Sequence, residues 1–187
     1  LFTNGLTAGL TFLSMIGYAG VYTLYLKHAT SQNIVLGGLA GATPPLLGWV
    51  AVTGQVDVMP MVLVAVIFIW TPPHFWALAI HRIEDYAKAK VPMLPNTHGI
   101  LHTKKWMLFY TSLLVAVTYV PVIIHATAAV YALINSVLSV WFFSRVWRFY
   151  RDPLHVGGMG VFRDSIIYLA LYFMALLIDH FYVVSLW

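Results

Sequence analysis

The sequence contains no cysteine and very little charge. Without cysteine, neither disulfide bonds nor thiolate metal sites can form. Charged residues make up 9% of the 187 positions, whereas a soluble domain carries about 25%. Hydrophobic residues make up 61%, and so few charges cannot cover a surface in water. The composition therefore predicts a protein whose main solvent is lipid.

Long runs without charge divide the chain into six predicted transmembrane helices. Each run is long enough to cross a hydrocarbon core of about 30 Å. The uncharged stretch 106–144 would give a helix about twice the membrane thickness, so we divide it near Pro121. The predicted spans cover residues 4–26, 33–53, 60–81, 105–123, 127–147 and 163–184. We expect a single all-α, polytopic transmembrane bundle over residues 1–187.

The lysines and arginines occupy alternate connections between these spans. They are Lys27 in the first connection, Arg82, Lys88, Lys90, Lys104 and Lys105 in the third, and Arg145, Arg148, Arg151 and Arg163 in or beside the fifth. The second and fourth connections contain none. Because positively charged loops stay in the cytoplasm, connections one, three and five are predicted to be cytoplasmic and both chain ends outside. Since the basic residues form no general patch, nucleic-acid binding is not expected.

Proline pairs are expected to interrupt two neighbouring spans near mid-membrane, at 44–45 and at 72–73. Proline removes a backbone donor and kinks a helix. Gly37 and Gly41 form a small-xxx-small pair, which predicts close helix contact. The kinks either shape a packed bundle or line a substrate cavity, and the pattern leaves both interpretations open.

The third connection holds the residues best suited to chemistry, namely Arg82, Glu84, Asp85, Tyr86 and Lys88. Mg²⁺ is usually bound through one or two carboxylates plus substrate phosphates, and basic side chains complement phosphate oxygens. The mixture is typical of a diphosphate site. It is also typical of a solvated helix end in which Arg82 pairs with Asp85 or Tyr86.

Two further ionisable residues are candidates for function. Lys27 ends the first span, where it either marks the topology or binds phosphate beside the third connection. His74, followed by Trp76, lies at membrane depth, where an ionisable group is costly and a functional role is the default hypothesis. His74 could equally donate a hydrogen bond to a carbonyl freed by the nearby prolines.

Four motifs, in order at residues 22–38, 41–49, 70–79 and 85–95, resemble the protohaem IX farnesyltransferase (haem O synthase) family. They include Tyr-Thr-Leu-Tyr-Leu-Lys, Thr-Pro-Pro-Leu-Leu-Gly-Trp, Trp-Thr-Pro-Pro-His-Phe-Trp and Lys-Val-Pro-Met-Leu-Pro. This family is the haem-modifying branch of the UbiA-type intramembrane prenyltransferases. The resemblance implies a bundle of nine helices around a cavity open to lipid, in which the six spans resemble helices four to nine. The family's first Asn/Asp-rich motif does not occur here, and the chain starts within an apolar run. We therefore expect the domain to be incomplete at its N-terminus.

The resemblance also implies a reaction. The family transfers the farnesyl group of farnesyl diphosphate to a vinyl group of haem B, giving haem O and diphosphate, with Mg²⁺ as cofactor. Haem B is then a substrate rather than a cofactor. The implied setting is a bacterial inner membrane with the active-site loops on the cytoplasmic side, and the implied partners are haem-handling or cytochrome oxidase assembly proteins. This chain alone is expected to be inactive. The alternatives are a related prenyltransferase with a quinone or chlorophyll-type acceptor, and a non-enzymatic transporter.

The same resemblance suggests roles for individual residues. Asp85 matches the later acid of the family's second motif and is expected to bind metal and act in catalysis together with Lys27. His81 occupies the earlier acid position; Glu84 matches neither acid of the motif and is a candidate metal ligand only from its place beside Asp85. The expected substrate-binding residues are Tyr22, Lys27, Arg82 and Lys88 for the diphosphate, and His74 with Trp76 for the haem side, His74 as iron ligand or propionate partner.

Overall fold

The structure, a computed structural model, describes residues 3–26 and 30–181, and no strand occurs in these two stretches. Its helices are α1 (Gly5–Ile16), continued by a π-helix (Gly17–Leu26), α2 (Asn33–Gly41), α3 (Pro44–Thr53), α4 (Val58–His81), α5 (Ile83–Lys88), α6 (Leu94–His98), α7 (Ile100–Thr118), α8 (Val120–Ile123), α9 (Ala129–Arg151) and α10 (Gly158–Phe181). The prediction of an all-α fold is confirmed.

Six helical segments of the described chain are long and apolar enough to cross a membrane. They are Gly5–Tyr25, Asn33–Thr53, Val58–His81, Ile100–Ile123, Ala129–Arg151 and Gly158–Phe181. The remaining helices, α5 and α6, are short and lie between the third and fourth of these spans. The predicted six-helix transmembrane bundle is therefore confirmed, and the chain is a multi-pass integral membrane protein.

Helix α4 forms the centre of the bundle, because α2, α3, α7 and α10 all pack against it. Helix α9 packs between α7 and α10 and carries part of the aromatic core. Its Tyr131 donates a hydrogen bond to the carbonyl of Thr118 at 2.5 Å and meets the ring of Tyr172 edge to face. Since Tyr131 and Tyr172 have no exposed surface, these rings tie α7, α9 and α10 together inside the bundle.

The two proline pairs act differently. Pro44 begins α3 just after the chain leaves α2, so the second span is interrupted as expected. Helix α4 instead runs unbroken through Pro72 and Pro73, and the interruption expected in the third span is wrong. Both prolines are buried among neighbouring helices, and the hydroxyl of Thr71 donates to the carbonyl of Ile67 at 2.8 Å. Packing and local hydroxyl bonds of this kind allow a transmembrane helix to continue through proline.

Glycines in α2 allow close contact with two other spans. A β-carbon added to Gly37 would lie 2.3 Å from the ring of Tyr22, and one added to Gly38 would lie 3.0 Å from the methyl group of Thr71. A β-carbon added to Gly41 would meet no atom of the described chain within 4 Å. The close contact predicted for Gly37 is present, but Gly38, and not Gly41, is its partner in packing.

The helix ends show which connections share a side. Gly158, at the start of α10, lies against His81 at the end of α4, and Lys104 near the start of α7 donates to the carbonyl of Phe149 near the end of α9. The third and fifth connections therefore meet at one end of the bundle, which we call the basic end. At the opposite end Asn4 donates to the carbonyl of Val50.

Candidate functional site

The charged residues of the third connection lie on the short helix α5 and its preceding residue. Glu84 and Asp85 occupy the first turn of α5 and Lys88 its last turn, while Arg82 links α4 to α5. All four side chains are exposed, and none forms a hydrogen bond or ion pair with the described residues. The predicted alternative, in which Arg82 pairs with Asp85 or Tyr86, is absent from this part of the chain. These charges are thus available to a ligand.

The backbone beneath these charges is fixed. The side-chain amide of Asn96 in α6 donates to the carbonyl of Ile83 at 2.9 Å. Met93 and Leu94 are 3% and 1% exposed and anchor α6 in the core. Tyr86 packs against the same core from α5. Because the segment is anchored at several points, its free side chains project from a fixed frame, which lowers the entropy cost of binding.

An apolar cavity of about 280 Å³ lies between the first span, α2 and α4; we call it the Tyr22 cavity. Its walls include Tyr18, Tyr22, Gly38, Trp70 and Phe75. Tyr18 and Tyr22 stack with their ring centroids 5.6 Å apart, so the cavity is lined mainly by aromatic carbon.

The Tyr22 side of the cavity lies near the third connection. The phenol groups of Tyr22 and Tyr86 are near enough to interact electrostatically. Tyr86 belongs to α5, the helix that carries Glu84 and Asp85. The structure therefore brings Tyr22 to the neighbourhood of the charged helix. Lys27 lies outside the described residues.

His74 is held between two aromatic rings near mid-bundle. Its ring stacks on Trp70 with centroids 4.2 Å apart and on Phe162 with centroids 4.4 Å apart. Nδ1 lies 2.7 Å from the hydroxyl oxygen of Ser165 in α10, and the imidazole is 7% exposed. The partner of Nδ1 is therefore a side chain of another helix, and not a carbonyl freed by the prolines of α4.

The hydrogen bonds of Ser165 define the tautomer of His74. A serine hydroxyl has one proton to donate, and Ser165 lies 2.6 Å from the carbonyl of Phe162, which can only accept. Ser165 therefore accepts from His74, and Nδ1 carries the imidazole proton. Nε2 then holds the lone pair of the ring, and the backbone of Phe162 forms a further hydrogen bond with the imidazole. Such an arrangement is the usual one for an imidazole that serves as a ligand.

Trp76 faces away from the Tyr22 cavity. It is completely buried and meets Tyr110 of α7 edge to face, with ring centroids 5.6 Å apart. Its Nε1 has no hydrogen-bond partner among the described residues. The structure therefore does not bring Trp76 together with Tyr22 or with the charges of α5.

Metal ligands are sparse in the described part of the chain. No group of three or more His, Asp or Glu residues there lies close enough to hold a metal ion. Glu84 and Asp85 do supply two neighbouring carboxylates that are exposed and unpaired, and carboxylate oxygen is the donor that Mg²⁺ prefers. The two acids fit a Mg²⁺ site to which substrate phosphates and other groups contribute the remaining ligands.

The sequence pattern predicts Lys104 only as one of the basic residues of a cytoplasmic connection, whereas in the structure its side chain is buried. Lys104 is 1% exposed, and its Nζ donates to the carbonyls of Phe149 at 2.7 Å and Asp152 at 2.8 Å. Nζ also lies 2.8 Å from Nδ1 of His155 and 4.2 Å from the centre of the Phe149 ring. A cation that caps the last carbonyls of α9 also interacts favourably with the helix dipole. The available signal was the spacing of Lys104 from the buried Met107 on the same face of α7.

Asp152 organises the turn that follows α9. Its carboxylate accepts hydrogen bonds from the amides of Leu154, Val156 and Gly157. These amides, Leu154 first, hold the pKa of Asp152 below its ordinary value, and the nearby Lys104 acts in the same direction. The turn at the basic end is therefore fixed by an ionised carboxylate.

The sequence model of the UbiA prenyltransferase family matches residues 1–159, which include all the candidate site residues. This chain belongs to the UbiA prenyltransferase family. The resemblance drawn from the four motifs is thereby confirmed. No solved structure matches the chain.

Two bacterial proteins are similar to this UbiA family member over nearly all of its length. The chain is 54% identical over 186 residues to Protoheme IX farnesyltransferase 1 of Pseudomonas putida (strain W619). The aligned region covers 100% of the chain and 63% of the relative. It is also 54% identical over 180 residues to Protoheme IX farnesyltransferase of Azotobacter vinelandii. This aligned region covers 96% of the chain and 60% of the relative. The chain thus spans less than two thirds of the length of these relatives.

Proposed function

We propose that this chain, within its full-length protein, transfers the farnesyl group of farnesyl diphosphate to a vinyl group of haem B. The observation that supports this most is the 54% identity, over the whole chain, to relatives named for that reaction. The vinyl carbon would bond to C1 of the farnesyl group while the C1–O bond breaks and diphosphate leaves with the electron pair. Water would then add a hydroxyl group and release a proton, which gives haem O.

The diphosphate would bind at the basic end. Arg82 and Lys88 carry free positive charges, and charge-assisted hydrogen bonds to phosphate oxygens are the strong ones. The phenol of Tyr22 would donate a further hydrogen bond from the wall of the cavity. Lys27 is proposed for the same role from its position in the matching motif. Together these groups would stabilise the charge that develops on the leaving group.

Asp85, with Glu84 beside it, would hold Mg²⁺ together with phosphate oxygens. When bound, Mg²⁺ would supply positive charge against the departing diphosphate. The chain's own part is to fix the two carboxylates on an anchored helix and to leave them unpaired.

The Tyr22 cavity would receive the reacting end of the isoprenoid chain. Its aromatic walls exclude water, and a dry site protects an allylic cation from premature capture. The faces of Tyr18 and Tyr22 would also stabilise positive charge on carbon by cation–π attraction.

His74 is proposed to contact the haem, whereas Trp76, completely buried against Tyr110, belongs to the packing between α4 and α7. Both faces of the imidazole are covered, but a metal binds an imidazole in the ring plane. The lone pair on Nε2 lies in that plane. The proton on Nδ1, shared with Ser165, is the feature that would set the orientation of the ring.

The proposed location is a bacterial inner membrane with the basic end in the cytoplasm. Connections three and five lie together at that end and carry nine of the ten basic residues by the sequence assignment, which agrees with the positive-inside rule. Haem-handling and cytochrome oxidase assembly proteins are the proposed partners.

The test is the substitution Asp85→Asn in the full-length protein. We expect haem O formation to fall by about a hundredfold or more, the usual cost of losing one electrostatic contact to developing charge. Pigments extracted after incubation with farnesyl diphosphate and haem B measure the product. Asp57→Asn, at the opposite end of the bundle, is the matched control and should keep full activity. Wild-type product from a quinone but none from haem B would contradict the proposed acceptor.

A further inference from the structure

An open groove of about 580 Å³ runs along the outer face of the bundle between α7 and α9; we call it the α7–α9 groove. Val115 of α7 and Tyr119, directly after α7, line one side, and Val140, Phe143 and Trp147 of α9 line the other. Val140 is 72% exposed, so no described residue covers the groove at this point.

The hydroxyl groups of Ser112 and Ser144 in the groove are bonded to their own helices, and its third serine, Ser139, is only 2% exposed. Ser112 donates to the carbonyl of Leu108 at 3.0 Å, and Ser144 donates to the carbonyl of Trp141 at 2.7 Å. Because these hydroxyls are already satisfied, the groove presents carbon to whatever occupies it. Such a surface suits an acyl chain.

Two cations continue the groove at the basic end. Lys105 precedes Ser112 by two helical turns, and Arg151 follows Ser144 by two helical turns, so each lies on the groove side of its helix. The helices are antiparallel and meet at this level, since Lys104 donates to the carbonyl of Phe149. Lys105 and Arg151 are exposed, and neither pairs with any described residue.

The depth of these cations matches the headgroup layer of a bilayer. Trp147 is 42% exposed and packs on Tyr150, with ring centroids 5.9 Å apart. Exposed Trp and Tyr residues collect at the membrane–water interface. The cations therefore lie at headgroup depth, and the groove below them lies at acyl-chain depth.

We propose that the α7–α9 groove binds an anionic phospholipid, with its phosphate between Lys105 and Arg151 and an acyl chain along Val140 and Trp147. Basic pockets between transmembrane helices at the cytoplasmic side bind anionic headgroups in this way. The groove is uncovered at Val140 and lacks the free carboxylates of α5, which distinguishes it from the proposed diphosphate site. The inference does not depend on the proposed reaction.

The test compares phosphatidylglycerol with phosphatidylcholine on the purified full-length protein by native mass spectrometry. The wild type should retain phosphatidylglycerol preferentially. A basic residue near an anionic lipid contributes about a fivefold factor in affinity, so Lys105→Gln with Arg151→Gln should lower retention roughly 25-fold. Arg163→Gln, an exposed arginine of the basic end outside the groove, is the matched control and should change nothing.

A second variant tests the apolar half of the site. Val140→Trp fills the groove, leaves both cations in place and should also abolish retention. Unchanged phosphatidylglycerol binding in the double Gln variant, equal binding of phosphatidylcholine by the wild type, or an equal loss in Arg163→Gln would each overturn the inference. Displacement of the lipid by farnesyl diphosphate at substrate concentrations would assign the groove to the isoprenoid instead.

Discussion

Asp179 accepts a hydrogen bond from the backbone amide of Tyr131 at 2.9 Å, across 48 residues of sequence. The same carboxylate accepts from the amide of Ala128 at 2.8 Å, and Asp179 is 4% exposed. An acid that interrupts the apolar run of the last span therefore caps the first turn of α9. Helix starts leave amides that require such acceptors, and the helix dipole favours a negative charge there.

Replacement of Asp179 should loosen the end of the bundle opposite the basic end. Asp179→Ala removes both acceptors and should lower the free energy of unfolding by about 2 kcal/mol, as for a lost helix cap. Asp179→Asn keeps one oxygen and should cost less. Thermal unfolding in detergent gives the order of the two variants, and equal stability of Asp179→Ala and wild type would exclude the capping role.

Lys104→Met should destabilise the basic end. The change removes the charged donor to the carbonyls of Phe149 and Asp152, and a hydrogen bond from a charged group contributes about 1.5–3 kcal/mol. Lys90→Met removes an exposed lysine of the same end and should be neutral. The unfolding temperatures of the two variants in detergent should differ by several degrees, and identical values would contradict the proposed stabilisation.

Gly37→Ala should displace the ring of Tyr22, because the new methyl group would lie 2.3 Å from it. If Tyr22 binds diphosphate, the KM for farnesyl diphosphate should rise roughly tenfold, the scale of one hydrogen bond to a charged group. Gly48→Ala, in α3 and outside the cavity, meets no described atom within 4 Å and serves as the control. A normal KM in Gly37→Ala would remove Tyr22 from the proposed site.

Ser165→Ala should weaken haem binding, because it removes the acceptor that fixes the proton on Nδ1 of His74. Loss of a group that orients a ligating histidine costs about tenfold to a hundredfold in affinity. Ser165→Thr keeps the hydroxyl and should restore binding. Titration of haem B followed by its absorption spectrum separates these variants, and equal affinity in Ser165→Ala would argue against His74 as the contact.

The turn after α9 should respond to acid. The pKa of Asp152 is lowered in the folded protein, so its bonds to backbone amides contribute stability above its unfolded pKa of about 3.9. That contribution is lost as the pH falls below this value towards the folded pKa. Hydrogen exchange of residues 152–157 should therefore be faster in Asp152→Ala than in wild type at neutral pH. The difference should shrink as the pH falls below about 3.9, and a difference that did not change with pH would contradict the assignment.

The fold could be predicted from the sequence because lipid imposes a simple rule. A span must avoid charge over its whole length, and the alternation of basic connections then gives the order of the helices. Local composition also identified the charged stretch around Asp85. Both signals come from residues that are neighbours in sequence.

Contacts between distant residues could not be read in the same way. Lys104 resembles Lys105 in sequence, yet only Lys104 meets the end of α9. Asp179 lies inside the predicted last span, and its partners lie in another helix. The choice between Gly38 and Gly41, and the continuity of α4 through its prolines, likewise depend on how the helices pack. One-dimensional patterns carry no information about these pairings.

Gly158 restricts how this sequence can change during evolution. A β-carbon there would lie 2.7 Å from the carbonyl oxygen of Ala77, which belongs to the main chain and cannot rotate aside. The neighbouring Gly157 and Gly160 face the side chains of Phe149 and Arg145, which can move. Descendants of this protein should therefore accept alanine or serine at 157 and 160, while position 158 admits a single residue type for as long as α10 stays docked on α4.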